Sequence, residues 1–414
     1  MTDDRTPPDL GNPLGSADPL GPERRLPVVV VTGLHKEQRR RAVLELISHG
    51  QAPIVLCHDL SRASQGEVVR RVWDHHGSML RVRATLTNDC PCCAVREDLL
   101  PYLQQIAAAG RHRLAVIELW GGSDPQPIVE TIAHAEVAGR SMEEFVQIKG
   151  VVTAVDPLRV IPELSTNEPL AEHALHTSSD DERTVAEALA HQIEYAEVIA
   201  VPQVPEQSAT PERRAGLAML RQLRPTAQFV PLGAGELNGA ATAGFDIDAA
   251  AYRVSPAVAL LPQRCEHDGV TTLLWKQRRP LHPERLYHAL DQLVPCAQRS
   301  RGRFWLANRP DVMLAWDSAG ASLTVEDCGP WLACLSDEEW ELHPPERRIA
   351  AALEWDADYG DRVQVLSFTA QGLDADAIGE LLDSCLLTDE ELAAGEQGWK
   401  ALPDGFEHLL DPVA

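Results

Sequence analysis

Apolar runs and helical patterns alternate along residues 26–233. Five short runs of mostly apolar residues predict β-strands: LPVVVVTG (26–33), APIVLCHDL (52–60), LAVIELWG (114–121), GVVTAVDP (150–157) and AEVIAVPQ (196–203). Between them, apolar residues recur three and four positions apart, which predicts helices over 36–49, 97–110, 127–139 and 182–196. Nearly continuous apolar strands separated by helices predict an α/β fold, in which a parallel sheet carries helices on both faces.

A different pattern follows a stretch rich in Gly and Ala. We assign residues 234–255 to a linker and residues 256–402 to a second domain. The elements predicted in that domain are strands over 271–277, 302–308, 312–320, 321–329 and 361–371 and helices over 282–294 and 374–386. This pattern predicts an α+β domain of antiparallel strands with helices on one face. Residues 1–25 and 403–414 are predicted to be tails.

The chain of 414 residues is long enough for two domains, each with its own core. Its formal net charge is −25, from 37 Lys and Arg against 62 Asp and Glu. Such a charge repels nucleic acid and anionic membranes, so we expect no direct DNA binding and no membrane association. The first residues are rich in Pro, Gly and Asp and lack the apolar core of a signal peptide, which predicts a cytoplasmic protein.

The stretch VVVVTGLHKEQRRR (28–41) has the layout of a phosphate-binding P-loop. A functional P-loop reads G-x-x-x-x-G-K-[ST], because backbone N–H groups surround the phosphates, the Lys reaches them and the hydroxyl binds Mg²⁺. Counted from Gly33, the last three positions hold Gln38, Arg39 and Arg40. The planar guanidinium of an arginine does not simply replace a lysine ammonium. We therefore expect solvated arginines at the start of a surface helix, and no binding of GTP with Mg²⁺.

The nine cysteines are unevenly distributed along the chain. Three of them, Cys90, Cys92 and Cys93, lie in NDCPCCAVREDLL, just before a predicted helix. The partial positive charge of a helix N-terminus favours thiolates, and three thiolates suit Zn²⁺ or Cu(I). A closed zinc site needs a fourth ligand, and the chain has no second C-x-x-C pair. The fourth ligand would therefore come from a distant side chain, from water or from a partner.

Histidines are the candidates for that distant side chain. The candidates that we consider lie in the first domain and are His35, His58, His75, His76 and His112. The stretch richest in histidine, WDHHGS (73–78), is more typical of an exposed helix end with solvated imidazoles than of metal ligation. The sequence does not single out one of them.

Several motifs together resemble the CobW family of metal-chaperone GTPases. They are CPCC with AVREDL (90–99), IELWGGSDPQPI (117–128), RPLHPERL (279–286), SRGRFWLANRP (300–310) and LLTDEE (386–391). The resemblance spans about residues 26–402 and implies a P-loop-NTPase-like first domain followed by a CobW C-terminal domain. It also implies that zinc is the cofactor, with Cys90, Cys92 and Cys93 as its ligands. Glu118 then corresponds to the family's E-x-x-G segment and is the candidate to orient a catalytic water.

The nucleotide motifs of the family are altered in this chain. Besides the changes after Gly33, the segment that reads NKxD in the family, where it recognises guanine, has Pro202, Gln203 and Pro205 at the N, K and D positions. Two distant nucleotide-binding elements are therefore lost together, while the cysteine motif is intact. We expect a pseudo-GTPase whose GTPase activity is lost or weak and whose metal-sensitive switch is retained.

The resemblance extends to an actinobacterial branch with degenerate P-loops, which acts in zinc starvation and recruits a hibernation factor to ribosomes. It implies a zinc-responsive interaction factor whose partner is a protein client, a hibernation factor or another ribosome-associated protein. A second hypothesis is a GTP-dependent zinc chaperone that delivers metal to client proteins. A third is a thiol redox module, which we rank last because adjacent cysteines form strained disulfides.

Overall fold

A computed structural model describes residues 25–50, 52–74, 76–77, 79–87, 94–256 and 261–410. The strands of its first part are β1 (Leu26–Thr32), β2 (Pro53–Asp59), β3 (Glu67–Asp74), β4 (Met79–Thr85), β5 (Leu114–Glu118), β6 (Glu136–Val137), β7 (Arg140–Ser141), β8 (Val146–Ala154), β9 (Val198–Pro202) and β10 (Gln228–Leu232). All but the short β6–β7 ribbon form one sheet of order β10-β9-β8-β1-β5-β2-β3-β4. The six strands from β10 to β2 are mutually parallel, which confirms the predicted α/β fold.

Two strands of this sheet, β3 and β4, are antiparallel additions that the sequence pattern does not reveal. The interpretation of residues 73–78 as a helix end is wrong, because Trp73 belongs to β3 and His76 lies in the turn that follows. β4 is the edge strand, and its exposed side chains include Arg81 and Arg83. Charged side chains interrupt the apolar pattern and also discourage pairing with another chain at a free edge.

Helices cover both faces of the sheet. They are a π-helix (Ala94–Leu99), α1 (Lys36–His49), α2 (Leu100–Ala109), α3 (Pro125–His134), α4 (Pro157–Leu164), α5 (Val185–Tyr195), α6 (Pro211–Leu223), α7 (Leu237–Ala241) and α8 (Ile247–Val254). Because side chains of a strand alternate between faces, Val28 and Val30 pack with α2 to α6, and Val29 and Val31 pack with α1 and α7. Within the described ranges, no helix has the length and apolar character needed to cross a bilayer.

The segment assigned to a linker, residues 234–255, is mostly helical. It contains α7 and α8, and the side chains of Leu237 and Ala250 are fully buried. Leu237 packs on the same face of the sheet as α1, and Ala250 packs on the opposite face. Small residues suit the close approach of short helices as well as a flexible connection, which is why composition alone suggested a linker.

The second part is an antiparallel sheet of six strands in the order β11-β12-β16-β13-β14-β15. Its elements are β11 (Cys265–His267), β12 (Val270–Gln277), α9 (Pro283–Leu293), β13 (Arg299–Phe304), β14 (Val312–Ala319), β15 (Ser322–Pro330), α10 (Asp337–Glu341), α11 (Pro345–Leu353), β16 (Gln364–Gln371), α12 (Ala375–Ser384), α13 (Asp389–Ala393), α14 (Gly395–Trp399) and α15 (Glu407–Leu410). Helices α9 and α12 pack against aromatic side chains of the sheet such as Trp316 and Phe368. Trp305 and Trp331 are also buried. The architecture matches the expected α+β domain.

A buried group of charged residues joins the two sheets through α5. Both carboxylate oxygens of Glu194 accept hydrogen bonds from Arg299 of β13, at 2.7 and 2.8 Å, and Arg301 donates to the same carboxylate at 3.2 Å. Burial opposes the charged form of Glu194, but these two cations hold its pKa below the usual value. Removing one partner of such a buried pair typically costs about 3–5 kcal/mol, so this group fixes how the sheets meet.

His191, one turn earlier on α5, extends the same group. Its ring nitrogens lie 3.4 Å from Asp124, the N-cap of α3, and 3.5 Å from Asp317 of β14. Burial works against a charged imidazole, but the two carboxylates prevail and raise the pKa of His191 to about 10. The start of α3 in the first sheet is thereby connected to the second sheet through a single protonated side chain.

The contact between α4 and α6 gives a stability prediction. A Cβ added at Gly216 of α6 would overlap the carbonyl oxygen of Pro157, whereas a Cβ at Gly239 of α7 would meet no atom within 4 Å. Gly→Ala in a helix normally stabilises by up to about 1 kcal/mol. We expect Gly216→Ala to destabilise the protein instead, by about 1–3 kcal/mol, the usual cost of overpacking. Chemical denaturation should show this loss, and Gly239→Ala should show none; equal effects of both substitutions would contradict the described packing.

Candidate functional site

The loop between β1 and α1 consists of Gly33, Leu34 and His35, at the carboxyl end of the central strand. Ligands of open α/β sheets bind at this edge. Gly33 has a φ of +137°, and a Cβ there would overlap the carbonyl oxygen of Ala154 in the neighbouring strand β8. The one P-loop residue that the chain retains is therefore required for packing, whether or not a phosphate binds.

The side chain of Arg39 lies inside this loop. Its Nη1 donates hydrogen bonds to the carbonyl oxygens of Gly33, at 2.5 Å, and Leu34, at 2.8 Å. Its Nε lies 3.6 Å from Oε1 of Glu118, the last residue of β5. Only 5% of Arg39 is exposed, so the expectation of a solvated arginine is wrong for this residue. Burial is tolerated because two carbonyls and a carboxylate surround the guanidinium.

Arg39 and Glu118 form a coupled, buried pair. Burial raises the pKa of Glu118, and the cations Arg39 and Arg40 only partly oppose that increase. Burial also lowers the pKa of Arg39, and Glu118 acts in the opposite direction. Glu118, the candidate to orient a catalytic water, therefore faces a side chain of its own protein.

The other P-loop positions also face protein atoms. The guanidinium of Arg40 lies 4.5 Å from the ring centroid of Trp73, as a cation–π pair. Gln38 is 7% exposed. The structure thus brings Gly33 and Arg39 together at one loop and directs Arg40 to Trp73 of strand β3, away from the position of a Mg²⁺ ligand.

Two further loops lie at the same edge of the sheet. Pro202 ends β9, and its carbonyl oxygen accepts a hydrogen bond from Arg213 at 2.6 Å, while Gln203 and Pro205 are exposed. After β10, the carboxylate of Glu45 accepts hydrogen bonds from the backbone N–H groups of residues 233 and 235, at 2.6 and 2.9 Å. Glu45 was not a candidate in the sequence, since a carboxylate in the middle of α1 carries no motif.

The three cysteines of the metal motif, Cys90, Cys92 and Cys93, lie outside the described residues. The description resumes at Ala94, where the π-helix begins. Ala94 and His58 of β2 line a common cavity of ≈ 30 Å³, enough for a water molecule. In the ranges that the structure describes, no three His, Cys, Asp or Glu side chains form a metal-binding group.

His58 is held by a network on the π-helix. Its Nε2 lies 2.7 Å from Oδ2 of Asp98, and Arg70 donates to the other oxygen of that carboxylate at 2.8 Å. The guanidinium of Arg70 lies 3.8 Å from the ring centroid of Tyr102. Metal-binding histidines usually engage a carboxylate through their second nitrogen in this way. Among the histidine candidates, His58 is the one that this geometry favours.

Two of the remaining candidates are engaged elsewhere, and His75 lies outside the described residues. His35 pairs with Glu163, and the Nδ1 of His112, a buried residue, lies 3.3 Å from the carbonyl oxygen of Ala52. Cys57, beside His58, has a thiol whose pKa burial raises to about 12, with Glu118 adding to the shift. Cys57 therefore stays protonated at neutral pH in this structure.

The Arg39–Glu118 pair gives a prediction with a defined pH dependence. Arg39→Met leaves Glu118 buried without its cation and should destabilise the protein by about 3–5 kcal/mol near neutral pH. The pKa of Glu118 rises further in this variant, so its folded form prefers the protonated carboxyl. The loss measured by denaturation should therefore be larger at pH 8 than at pH 5, and Glu118→Gln added to Arg39→Met should remove that difference. The exposed Arg41→Met is the control; a pH-independent loss would contradict the pairing.

Comparison with known proteins adds to this geometry. Residues 43–231 match the CobW/HypB/UreG nucleotide-binding domain, and residues 270–386 match the cobalamin synthesis protein CobW C-terminal domain. The first match begins after the altered P-loop positions. The Zn(II)-bound YjiA GTPase of E. coli aligns with 88% of this chain and 100% of its own, at 14% identity and a TM-score of 0.36.

Two relatives align along most of their length. Zinc chaperone Rv0106 of Mycobacterium tuberculosis is 31% identical over 397 residues, which cover 92% of this chain and 93% of the relative. Zinc-regulated GTPase metalloprotein activator 1 of Dictyostelium discoideum is 27% identical over 412 residues, which cover 92% of this chain and 84% of the relative. With both domains matched and this degree of identity, the chain belongs to the CobW family.

Proposed function

We propose that this protein acts in zinc homeostasis as a zinc-responsive interaction factor and does not use GTP hydrolysis. The names of two relatives, a zinc chaperone and a zinc-regulated GTPase metalloprotein activator, support the connection to zinc. The proposal that the protein does not hydrolyse GTP rests on one observation, the position of Arg39 inside the β1–α1 loop. The two parts of the proposal can be tested separately.

Arg39 competes with a phosphate for the loop. A phosphate at Gly33 would need the guanidinium to leave two carbonyl oxygens and Glu118. A charge left buried without its partner costs about 3–5 kcal/mol, which subtracts directly from any affinity for nucleotide. Even then, the β1–α1 loop would lack the hydroxyl that binds Mg²⁺. The loop after β9 would lack the side chains that recognise guanine. The residues present therefore do not fit GTP with Mg²⁺.

The proposed zinc ligands are Cys90, Cys92 and Cys93, with His58 as the fourth. Thiolates and imidazole are the ligand types that zinc prefers. Asp98 engages Nε2 of His58, which leaves Nδ1 for a metal and fixes the ring orientation. His58 also shares a cavity with Ala94, the residue that follows the cysteine motif. Zinc bound here would stabilise the start of the π-helix. The conformation of the surface around that helix would then depend on whether zinc is bound.

The proposed partner is a protein. The net charge of −25 disfavours direct contact with RNA, so an association with ribosomes would be mediated by another protein. The resemblance to the zinc-starvation branch favours a hibernation factor or another ribosome-associated protein, and a client that receives zinc is the alternative. Capture from cells grown with and without zinc, using the triple cysteine variant as the control, tests whether partner binding follows metal status.

The zinc proposal predicts the metal content of two variants. Substitution of Cys90, Cys92 and Cys93 by Ser should remove the bound zinc, about one ion per chain, when the purified proteins are analysed by elemental mass spectrometry. Cys265→Ser changes an exposed cysteine on β11 and should leave the zinc content unchanged. His58→Ala should weaken zinc binding at least about tenfold in competition with a chelator. Unchanged zinc in the triple variant would refute the proposal.

A GTP-dependent zinc chaperone is the second candidate, because one relative is named a GTPase and Glu118 ends the strand next to the loop. The two candidates predict different calorimetry with GTP and Mg²⁺. We expect no binding tighter than about 10 μM, which corresponds to about −7 kcal/mol. Tighter binding that is lost in Arg39→Ala would identify Arg39 as a phosphate ligand and favour the chaperone.

A further inference from the structure

Three arginines surround a cavity on the other edge of the first sheet. Arg224 follows α6, Arg253 belongs to α8 and Arg301 belongs to β13 of the second sheet. The cavity has a volume of ≈ 470 Å³, and its wall is mostly apolar, with Tyr252 and Pro262 among the lining residues. A largely apolar cavity of this size with a few convergent polar groups is typical of a small-molecule site.

The position of the cavity separates it from the β1–α1 loop. Glu197 immediately precedes β9, and Thr226 lies two residues before β10, so this cavity lies at the amino ends of the parallel strands. Gly33 and Arg39 lie at the carboxyl ends of the same sheet. A ligand in the cavity would contact elements of both sheets and none of the altered nucleotide motifs.

The three arginines of the cavity share two carboxylates, Glu197 and Glu194. Arg224 and Arg253 share a single oxygen of Glu197, at 3.1 and 3.2 Å. Arg301 contacts Glu194, but both oxygens of that carboxylate already accept from Arg299. Burial lowers the pKa of Arg224 to about 10, and Arg253 adds to the decrease. Like charges held this close repel one another, and an anion in the cavity would relieve that repulsion.

One arginine that lines the cavity has a nitrogen without an acceptor among the described residues. Nη1 of Arg253 is buried and makes no hydrogen bond within the part of the chain that the structure describes. A buried charged donor without a partner costs at least about 1–3 kcal/mol. The same guanidinium uses Nη2 for Glu197, so its second nitrogen is the natural contact for an additional acceptor.

We propose that this cavity binds a small organic phosphate. The guanidinium fork matches two oxygens of a phosphate group, and several arginines around one cavity are the usual means of holding a dianion. The apolar wall and Tyr252 provide a surface for the organic part, which a free phosphate ion would leave bare. Because Arg301 belongs to the second sheet and Arg253 to α8, which packs on the first sheet, the bound ligand would also strengthen the contact between the two parts.

Calorimetry of the full chain tests the proposal with two probes, inorganic pyrophosphate and guanosine monophosphate, with guanosine as the uncharged reference. We expect the monophosphate to bind at least tenfold more tightly than pyrophosphate and guanosine not to bind. Arg253→Gln should weaken the monophosphate at least tenfold, and Arg253→Lys should recover part of the affinity. Gln263→Glu, which adds a carboxylate at the exposed rim, should weaken it as well without disturbing the core.

The matched control is Arg214→Gln, an exposed arginine of α6 that pairs with Asp268 at the surface. Arg214→Gln should leave the affinity for the monophosphate unchanged. If this variant lost as much affinity as Arg253→Gln, the effect would follow from the total charge of the protein, and the proposal would be overturned. Tighter binding of pyrophosphate than of the monophosphate would refute an organic ligand. Binding that is lost in Arg39→Ala and kept in Arg253→Gln would move the site to the β1–α1 loop. Zinc content should be the same in all these variants, so this test and the zinc test fail independently.

Discussion

The contact of Arg39 with the carbonyl oxygens of Gly33 and Leu34 determines what the carboxyl edge of the first sheet can do. A phosphate-binding loop works because its backbone donors converge on an empty space. Here a guanidinium lies in the loop, donates to the carbonyl oxygens of Gly33 and Leu34, and faces Glu118. The neighbouring loop is closed in a similar way, since Glu45 accepts the N–H groups of residues 233 and 235. At this edge, where open α/β sheets usually bind ligands, backbone groups of both loops are hydrogen-bonded to side chains of α1.

Much of the fold could be predicted from the sequence, because strands buried on both faces and amphipathic helices leave strong periodic signals. The hairpin of β3 and β4 could not, since Arg81 and Arg83 interrupt the alternation at the sheet edge. The helices α7 and α8 were hidden by small residues that resemble a linker. In each case the local composition fits more than one structure, and contacts with the rest of the fold determine which one forms.

Only the part of the site that belongs to sequence motifs could be predicted. Counting from Gly33 identified which ligands of a nucleotide are missing, but not that Arg39 turns inward, because that depends on Glu118, 79 positions further along the chain. His58 stood among five histidines until its contact with Asp98 distinguished it. The arginine cavity has no sequence signature, since Arg224, Arg253 and Arg301 come from three separate elements.

The imidazole of His191 has a consequence for the way the two sheets stay together. With a pKa near 10 in the folded protein and about 6.5 when exposed, it keeps its proton on folding throughout the neutral range. Unfolding exposes the imidazole and releases that proton wherever the pH exceeds about 6.5. The charged contacts of His191 therefore stabilise the fold fully below about pH 6.5, and this contribution decreases as the pH rises towards the folded pKa near 10. Because His191 contacts Asp124 in the first part of the chain and Asp317 in the second, a rise in pH above about 6.5 reduces how much this contact stabilises the folded protein.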